Sequence, residues 1–267
     1  MIRLQKLLAG LGLGSRRTVE EWIRDGRVTV AGRTARLGDR AGPADEVRLD
    51  GRKLDLCSVS DASEVLLYYK PVGEVTTRRD PQSRPTVFER LPPPRGGRWI
   101  SVGRLDVNTS GLLLLTTDGE LAHRLMHPST GIEREYLVRL RGRPGREAVD
   151  RLLAGIELED GPARFSRITA EADGEPGGAA NGSGGGSHST FRVVLSEGRK
   201  REVRRLWQAA GFEVSRLLRI RYGPIELPRD MRPGTARLAA PAAYARLKAA
   251  AAAGAAVGRG SRAATSK

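Results

Sequence analysis

The chain is 267 residues long and carries 46 Lys and Arg against 31 Asp and Glu, a formal net charge of +15. That balance favours a polyanionic partner, nucleic acid before any other. A single cysteine, Cys57, excludes an internal disulfide framework and a cysteine-built zinc site, which fits a reducing cytoplasm. No apolar run approaches the roughly 20 residues that a helix needs to cross a bilayer, so a soluble protein of one or two domains with no membrane partner is expected.

Taken in order, residues 1–58 read as a small module. Leu4, Leu7, Leu8 and Leu11 recur at helical spacing until Gly12–Gly14 break the helix. Ser15 is placed to cap a second helix whose apolar face is Val19, Trp22 and Ile23, and which ends at Asp25–Gly26. Residues 27–31 alternate like a strand, and Val47–Leu49 form another, closed by Asp50–Gly51. Over residues 1–54 twelve basic side chains against seven acidic ones leave +5. The glycines at 10–14 join helix to helix, so they are not a dinucleotide loop, which joins strand to helix.

Asp55–Ser63 is polar and without period, an expected linker. Val65–Tyr69 then starts a strand that runs into Lys70-Pro71-Val72-Gly73, and residues 74–99 form a long basic Pro- and Gly-rich loop around a short helix. Val102–Gly119 reads V-G-R-L-D-V-N-T-S-G-L-L-L-L-T-T-D-G. A compact polar turn presents Arg104 and Asp106 ahead of four leucines, whose short apolar run bounded by turn residues suggests a buried strand, although periodicity alone does not exclude a helix. A carboxylate fixed beside a guanidinium stays ionised and can act as nucleophile or base, although an arbitrary turn Asp more often only caps.

Glu120–Met126 reads as a helix, and Glu133–Arg139 as a strand with charge outward and bulk inward. Tyr136 on it is by default a packing residue. His123 and His127 stand four apart with no third ligand, so no metal is expected. Gly145–Gly155 reads as a helix, with a strand at 156–159, and the Gly/Ser-rich 173–189 as a long hairpin loop before a strand at 190–195. In 197–211, Val203, Leu206, Trp207 and Ala210 mark the buried face of a helix. Lys200, Arg201, Arg204 and Arg205 crowd its first turns against the helix dipole, which implies an anion nearby, either phosphate or Asp106. Val214–Gly223 alternates as a strand carrying Arg216, Arg219 and Arg221, and 249–267 reads as a disordered basic tail.

The stretch G-R-L-D-V-N-T-S-G-L-L-L-L-T-T-D-G, together with Y-Y-K-P-V-G-E, R-P-T-V-F-E-R-L-P, R-E-Y and E-G-R-K-R-E-V-R-R-L, resembles the signature motifs of the RsuA/RluB family of pseudouridine synthases. L-Q-K-L-L-A, G-S-R-R and I-R-D-G-R-V-T-V-A-G resemble the S4 RNA-binding domain. The resemblance implies an α+β fold, with a small S4-like domain (1–58) before a pseudouridine synthase domain (64–248) built on a mixed, mainly antiparallel sheet with flanking helices. It implies a monomer that isomerises a uridine of 23S rRNA near the peptidyl transferase centre, free or in a preribosomal particle, without any cofactor. The alternatives are action on small-subunit rRNA, or a non-catalytic rRNA-binding or assembly factor. By the same resemblance Asp106 is the nucleophile, Tyr136 stacks on the extruded base, and Arg204 pairs with Asp106. Arg104, Lys70 and Arg205 then contact substrate, while Arg3, Lys6, Ser15, Arg16, Arg17 and Arg27 face RNA.

Overall fold

The computed structural model describes residues 1–56, 63–171 and 188–263, with side chains described as far as residue 254. Most of the expected linker and of the Gly/Ser-rich insert lies outside the described residues.

Helices α1 (Leu4–Gly10) and α2 (Arg16–Arg24) pack on strands β1 (Val28–Val30) and β2 (Val47–Leu49) around Leu4, Leu8, Val19, Ile23 and Val47. Ser15 caps α2 as its residue type suggests, its Oγ accepting the Thr18 amide at 2.9 Å.

The larger unit is a mixed sheet. Its strands are β3 (Val65–Lys70), β4 (Ile100–Val102), β5 (Ser110–Thr116), β6 (Arg134–Arg141), β7 (Arg167–Ala170), β8 (His188–Leu195), β9 (Glu213–Tyr222) and β10 (Ala236–Leu238). They lie in the order β7-β8-β6-β9-β5-β3-β10, with β4 alongside β5. Every pairing among them is antiparallel except β5 with β9.

β5 is buried along its whole length. Leu112 and Leu114 face helices α3 (Gly119–Met126) and α6 (Pro241–Ala263), while Leu113 and Leu115 face Tyr68, Val87 and Trp99. Burial on both faces explains why this strand reads as an unbroken apolar run rather than as an alternation. Under the other half of the sheet, α4 (Arg146–Ala154) and α5 (Glu202–Ala209) close a second core. There the fully buried Trp207 lies 5.8, 5.3 and 6.3 Å from the rings of Phe165, Phe191 and Phe212.

The two halves join narrowly. β5 and β9 meet only at Ser110↔Leu218 and Gly111↔Arg219, while the far end of β5 pairs with β4 instead. Gly111 (φ +109°) makes the join possible, because a β-carbon there would lie 2.3 Å from the Arg219 carbonyl oxygen and 2.6 Å from its amide nitrogen.

Of the expected disordered tail, residues 249–263 belong to α6 and residues 264–267 lie outside the described residues. α6 runs through Ala263, and Leu247 and Ala251 are each 1% exposed against α3. Among the described residues no helix is long and apolar enough to cross a membrane.

Candidate active site

Where β5 meets β9, a cleft of about 400 Å³ opens over the sheet. The turn between β4 and β5 forms one wall with Arg104, Asp106 and Thr109. Arg134 and Tyr136 of β6 and Leu217, Arg219 and Tyr222 of β9 form the floor. Residues 198–203, leading into α5, form the opposite wall with Lys200 and Arg201.

The Asp106 turn is held at every peptide. Five successive carbonyls each accept a hydrogen bond: Leu105 from Thr76 Oγ1 (3.0 Å), Asp106 from the Thr109 amide (3.0 Å) and Val107 from the Gly73 amide (2.9 Å). Those of Asn108 and Thr109 accept from Arg204 Nη2 and Lys70 Nζ, both at 2.8 Å. Leu105, 5% exposed, anchors the turn in the core beside Trp99 and Leu113. The Asp106 carboxylate is half-buried, and among the described residues nothing donates to it and no cation pairs with it within 4.0 Å. It feels charge nonetheless, since it acts electrostatically on both Lys70 and Arg204.

The predicted site residues fall into three groups. Asp106, Arg104 and Tyr136 line the cleft, Arg104 being exposed and Tyr136 partly buried between two core clusters. Lys70 and Arg204 lie behind the turn. Lys70 is wholly buried, with Nζ 2.9 Å from the Pro71 carbonyl and 2.8 Å from that of Thr109. Burial pushes its pKa from 10.5 down to about 8, against the upward pull of Glu74 and Asp106. Lys70 is expected to touch substrate; here it does not line the cleft, and its ammonium is spent on the backbone of the turn. Arg204 meets the turn at the Asn108 carbonyl and its own helix-following strand at Val214 O (2.8 Å), not at the Asp106 carboxylate. Burial, then Arg201, lowers its pKa, while Asp106 and Glu213 raise it.

Arg205 stands apart. Its guanidinium grips Asp160 through two bonds of 2.8 and 2.9 Å and does not line the cleft, where it is expected to meet substrate. Here the anion that the basic helix start implies is a carboxylate of the protein itself.

In the small module Arg3, Arg16 and Arg17 are exposed. Lys6 bridges to Glu120 of α3 at 3.0 Å, and Arg27 is held by Asp50 (2.8 and 2.7 Å) with its guanidinium 5.4 Å from the Trp22 ring. Ser15 is occupied as the α2 cap.

Three cleft residues go unassigned to the site from sequence, though Arg219 is named as part of its strand. Arg134, 7% exposed, donates to the carbonyls of Ile132, Ser196 and Glu197 and to the Tyr222 hydroxyl. Arg219, 2% exposed, donates from Nε to the Leu112 carbonyl at 2.7 Å, lies 5.2 Å over the Tyr222 ring, and leaves Nη2 buried without a partner. Tyr222 joins the two arginines. Strict alternation from Tyr136 back to position 134 carries the signal for Arg134, and from Leu217 on to position 219 that for Arg219.

A mixed sheet joined at its centre carries a basic cleft lined by both Asp106 and Tyr136. A solved structure described as "Crystal structure of pseudouridylate synthase" superposes with a TM-score of 0.61 at 26% identity, covering 92% of this chain and all of the other. Residues 64–209 match the family described as "RNA pseudouridylate synthase", and residues 2–47 match the S4 domain. The chain belongs to the RNA pseudouridylate synthase family and carries an S4 domain ahead of the synthase domain.

Curated relatives are close. The chain is 52% identical over 235 residues to "Ribosomal large subunit pseudouridine synthase B" of Yersinia pestis, which covers 87% of this chain and 70% of that protein. A relative of the same name from Salmonella typhimurium is 52% identical over 238 residues, 87% of this chain and 77% of that protein. The one from Pseudomonas aeruginosa is also 52% identical, over 88% of this chain but 58% of its own length.

Proposed function

We propose that the protein converts a uridine of large-subunit ribosomal RNA to pseudouridine, with Asp106 as the nucleophile. The observation that carries this reading is the contrast within one turn: five successive backbone carbonyls are tied down while the carboxylate they carry is left without a donor. A nucleophile held in place but not quenched by hydrogen bonds needs no reorganisation before it attacks. The names of the relatives, large-subunit synthases from several bacteria, support the choice of RNA.

The reaction is an isomerisation. The N1–C1′ bond of the uridine breaks, the uracil turns, C5 bonds to C1′, the proton on C5 leaves, and N1 takes up a proton. Asp106 supplies an electron pair at either C1′ or C6, and is released when the new bond has formed. Tyr136 offers a ring face against which a base taken out of its stack can lie. Arg104 holds the RNA at the mouth of the cleft. Arg204 and Lys70 are positioning residues that hold the backbone of the turn and keep positive charge behind the carboxylate. The S4 region, taken as residues 1–58, docks the RNA, and residues 64–248 carry out the reaction, as a monomer in the cytoplasm on 23S rRNA that is free or within a preribosomal particle.

The test is Asp106→Asn with 23S rRNA carrying 5-tritiated uridine. Tritium release is expected to stop while RNA affinity stays near the wild-type value. Turnover by that variant comparable with wild type removes Asp106 from the nucleophile's role.

A further inference from the structure

The S4 domain and the synthase domain touch backbone to backbone. Gly12 (φ +82°), in the turn between α1 and α2, lies so close to the long loop after β3 that a β-carbon on it would sit 2.6 Å from the Gly97 carbonyl oxygen. The Lys6–Glu120 ion pair makes a second contact between the same two units. Three arginines gather at this seam. Arg16 is the first residue of α2, Arg98 follows Gly97 directly, and Arg78 reaches across the loop to donate to the Trp99 carbonyl while its guanidinium lies 4.3 Å from the Phe88 ring centre.

Among the described residues several arginines nearby are held by carboxylates; Arg17 and Arg79 are not, but of the unpaired ones here it is Arg78 and Arg98 that burial desolvates. On the same loop Arg84 pairs with Asp80, Arg90 with Glu74 and Arg95 with Glu64, at 2.7, 3.6 and 3.7 Å. In the S4 domain Arg24, Arg27, Arg33 and Arg48 also have carboxylate partners. Among the described residues no carboxylate lies within 4.0 Å of Arg16, Arg78 or Arg98, and Arg98 Nε is buried with no partner. Burial, then Arg78 and Arg16, lowers the pKa of Arg98, so the three charges work against one another. Like charges brought together and partly desolvated are costly until an anion joins them.

The seam also adjoins the chemistry. Thr76, two residues before Arg78, bonds both the carbonyl (3.0 Å) and the amide (3.2 Å) of Leu105, next to Asp106.

We propose that Arg16, Arg78 and Arg98 form a phosphate clamp spanning the two domains, which takes a backbone phosphodiester of the RNA strand whose uridine enters the Asp106 cleft. Guanidinium forks match phosphate oxygens bidentately, and the stacked, carbonyl-bonded Arg78 is already oriented for one. Because each domain supplies part of the clamp, a strand seated there is aligned with both at once. The inference rests on the reading of the protein as an RNA-modifying enzyme.

The test uses the full chain and a fluorescein-labelled single-stranded oligouridylate, with anisotropy titrations over a series of KCl concentrations. Arg16→Gln and Arg98→Gln are each expected to weaken binding roughly tenfold, as loss of a charged hydrogen bond does. Each should lower the slope of log affinity against log salt by about 0.7. The double variant is expected to lose little more than the weaker-binding single, since both side chains serve one phosphate. Arg98→Lys should fall between wild type and Arg98→Gln. Arg16 is exposed, so Arg16→Gln reports on the clamp even if Arg98→Gln melts early. Wild-type affinity and slope in Arg16→Gln, or losses that simply add, overturn the clamp while leaving the RNA reading intact. Failure of the wild-type chain to bind the oligouridylate overturns both.

Discussion

Gly111→Ala tests whether the join between β5 and β9 is what builds the cleft. A β-carbon at 111 meets the carbonyl oxygen of Arg219 at 2.3 Å and its nitrogen at 2.6 Å, both backbone atoms, so no side-chain rotation relieves the clash. The parallel pairing of β5 with β9, the only one in the sheet among the described residues and two residues long, has to open instead. Placing a side chain at φ +109° adds about 1–2 kcal/mol of backbone strain, and overpacking about 1–3 kcal/mol more. Gly73→Ala is the control, because Gly73 has φ +98° but nothing within 4 Å of the added carbon. At about 2–4 °C per kcal/mol for a domain of this size, scanning calorimetry should show a drop of a few degrees for Gly73→Ala and about 10 °C for Gly111→Ala. Turnover should fall with the second far more than with the first, since Gly111 pairs with Lys70 and follows the Asp106 turn directly. Equal shifts in the two variants would refute the argument, leaving backbone conformation rather than close approach as the reason for glycine.

Two further outcomes follow from the charges behind the turn. Lys70 has a folded pKa of about 8 against 10.5 in the open, so its burial opposes folding in full below pH 8 and that opposition is lifted as pH rises to 10.5. Melting temperature measured against pH should show this rise, worth about 3 kcal/mol at most, in the wild type and not in Lys70→Met. Turnover of the wild type should decline above pH 8 as the charge behind Asp106 is lost, and a flat profile there would remove Lys70 from that role. Arg204→Leu should lower both turnover and melting temperature, because it frees the Asn108 and Val214 carbonyls together. Arg204→Lys should restore only part, since one ammonium replaces a fork that spans two elements. Wild-type turnover in Arg204→Leu would reduce it to a structural arginine.

Much of this was legible in the sequence because it is local. Ser15 announces α2, the leucine run announces β5, and the polar residues before it announce a turn that carries Asp106. What was hidden depends on the third dimension. Arg134 shares its strand face with Tyr136, Val138 and Leu140, so period two alone points it inward, but a charge is read as outward by habit. Tyr222 is harder, because the irregularity in the β6–β9 register at Glu135/Tyr136 puts it on the cleft face with Leu217 and Arg219 against strict alternation. Arg205 and Arg204 are neighbours on one helix, yet one grips Asp160 outside the cleft and the other the Asn108 carbonyl behind the turn. Which way each faces is fixed by how α5 lies on the sheet, and spacing in sequence does not carry that.

The two aspartates that bracket β5 show why structure adds weight to a role for only one of them. Asp118, just past the strand, is spent on structure: its Oδ1 accepts the amides of Glu120 and Leu121 at 2.8 and 3.0 Å, and its Oδ2 accepts the Tyr244 hydroxyl at 2.8 Å. It starts α3 and ties α6 to it. Asp106, just before the strand, has as many donors around it, but they go to the backbone on either side and leave its carboxylate alone. An aspartate kept for capping uses its oxygens in the way Asp118 does. One kept for chemistry needs its backbone fixed and its oxygens available, and the donors that fix Asp106 come from Lys70, Gly73, Thr76 and Arg204, on both sides of it in the chain. The availability of the Asp106 carboxylate is therefore a property of the assembled sheet, and variants that loosen the sheet at Gly111 or the turn at Arg204 should damage turnover before they unfold the protein.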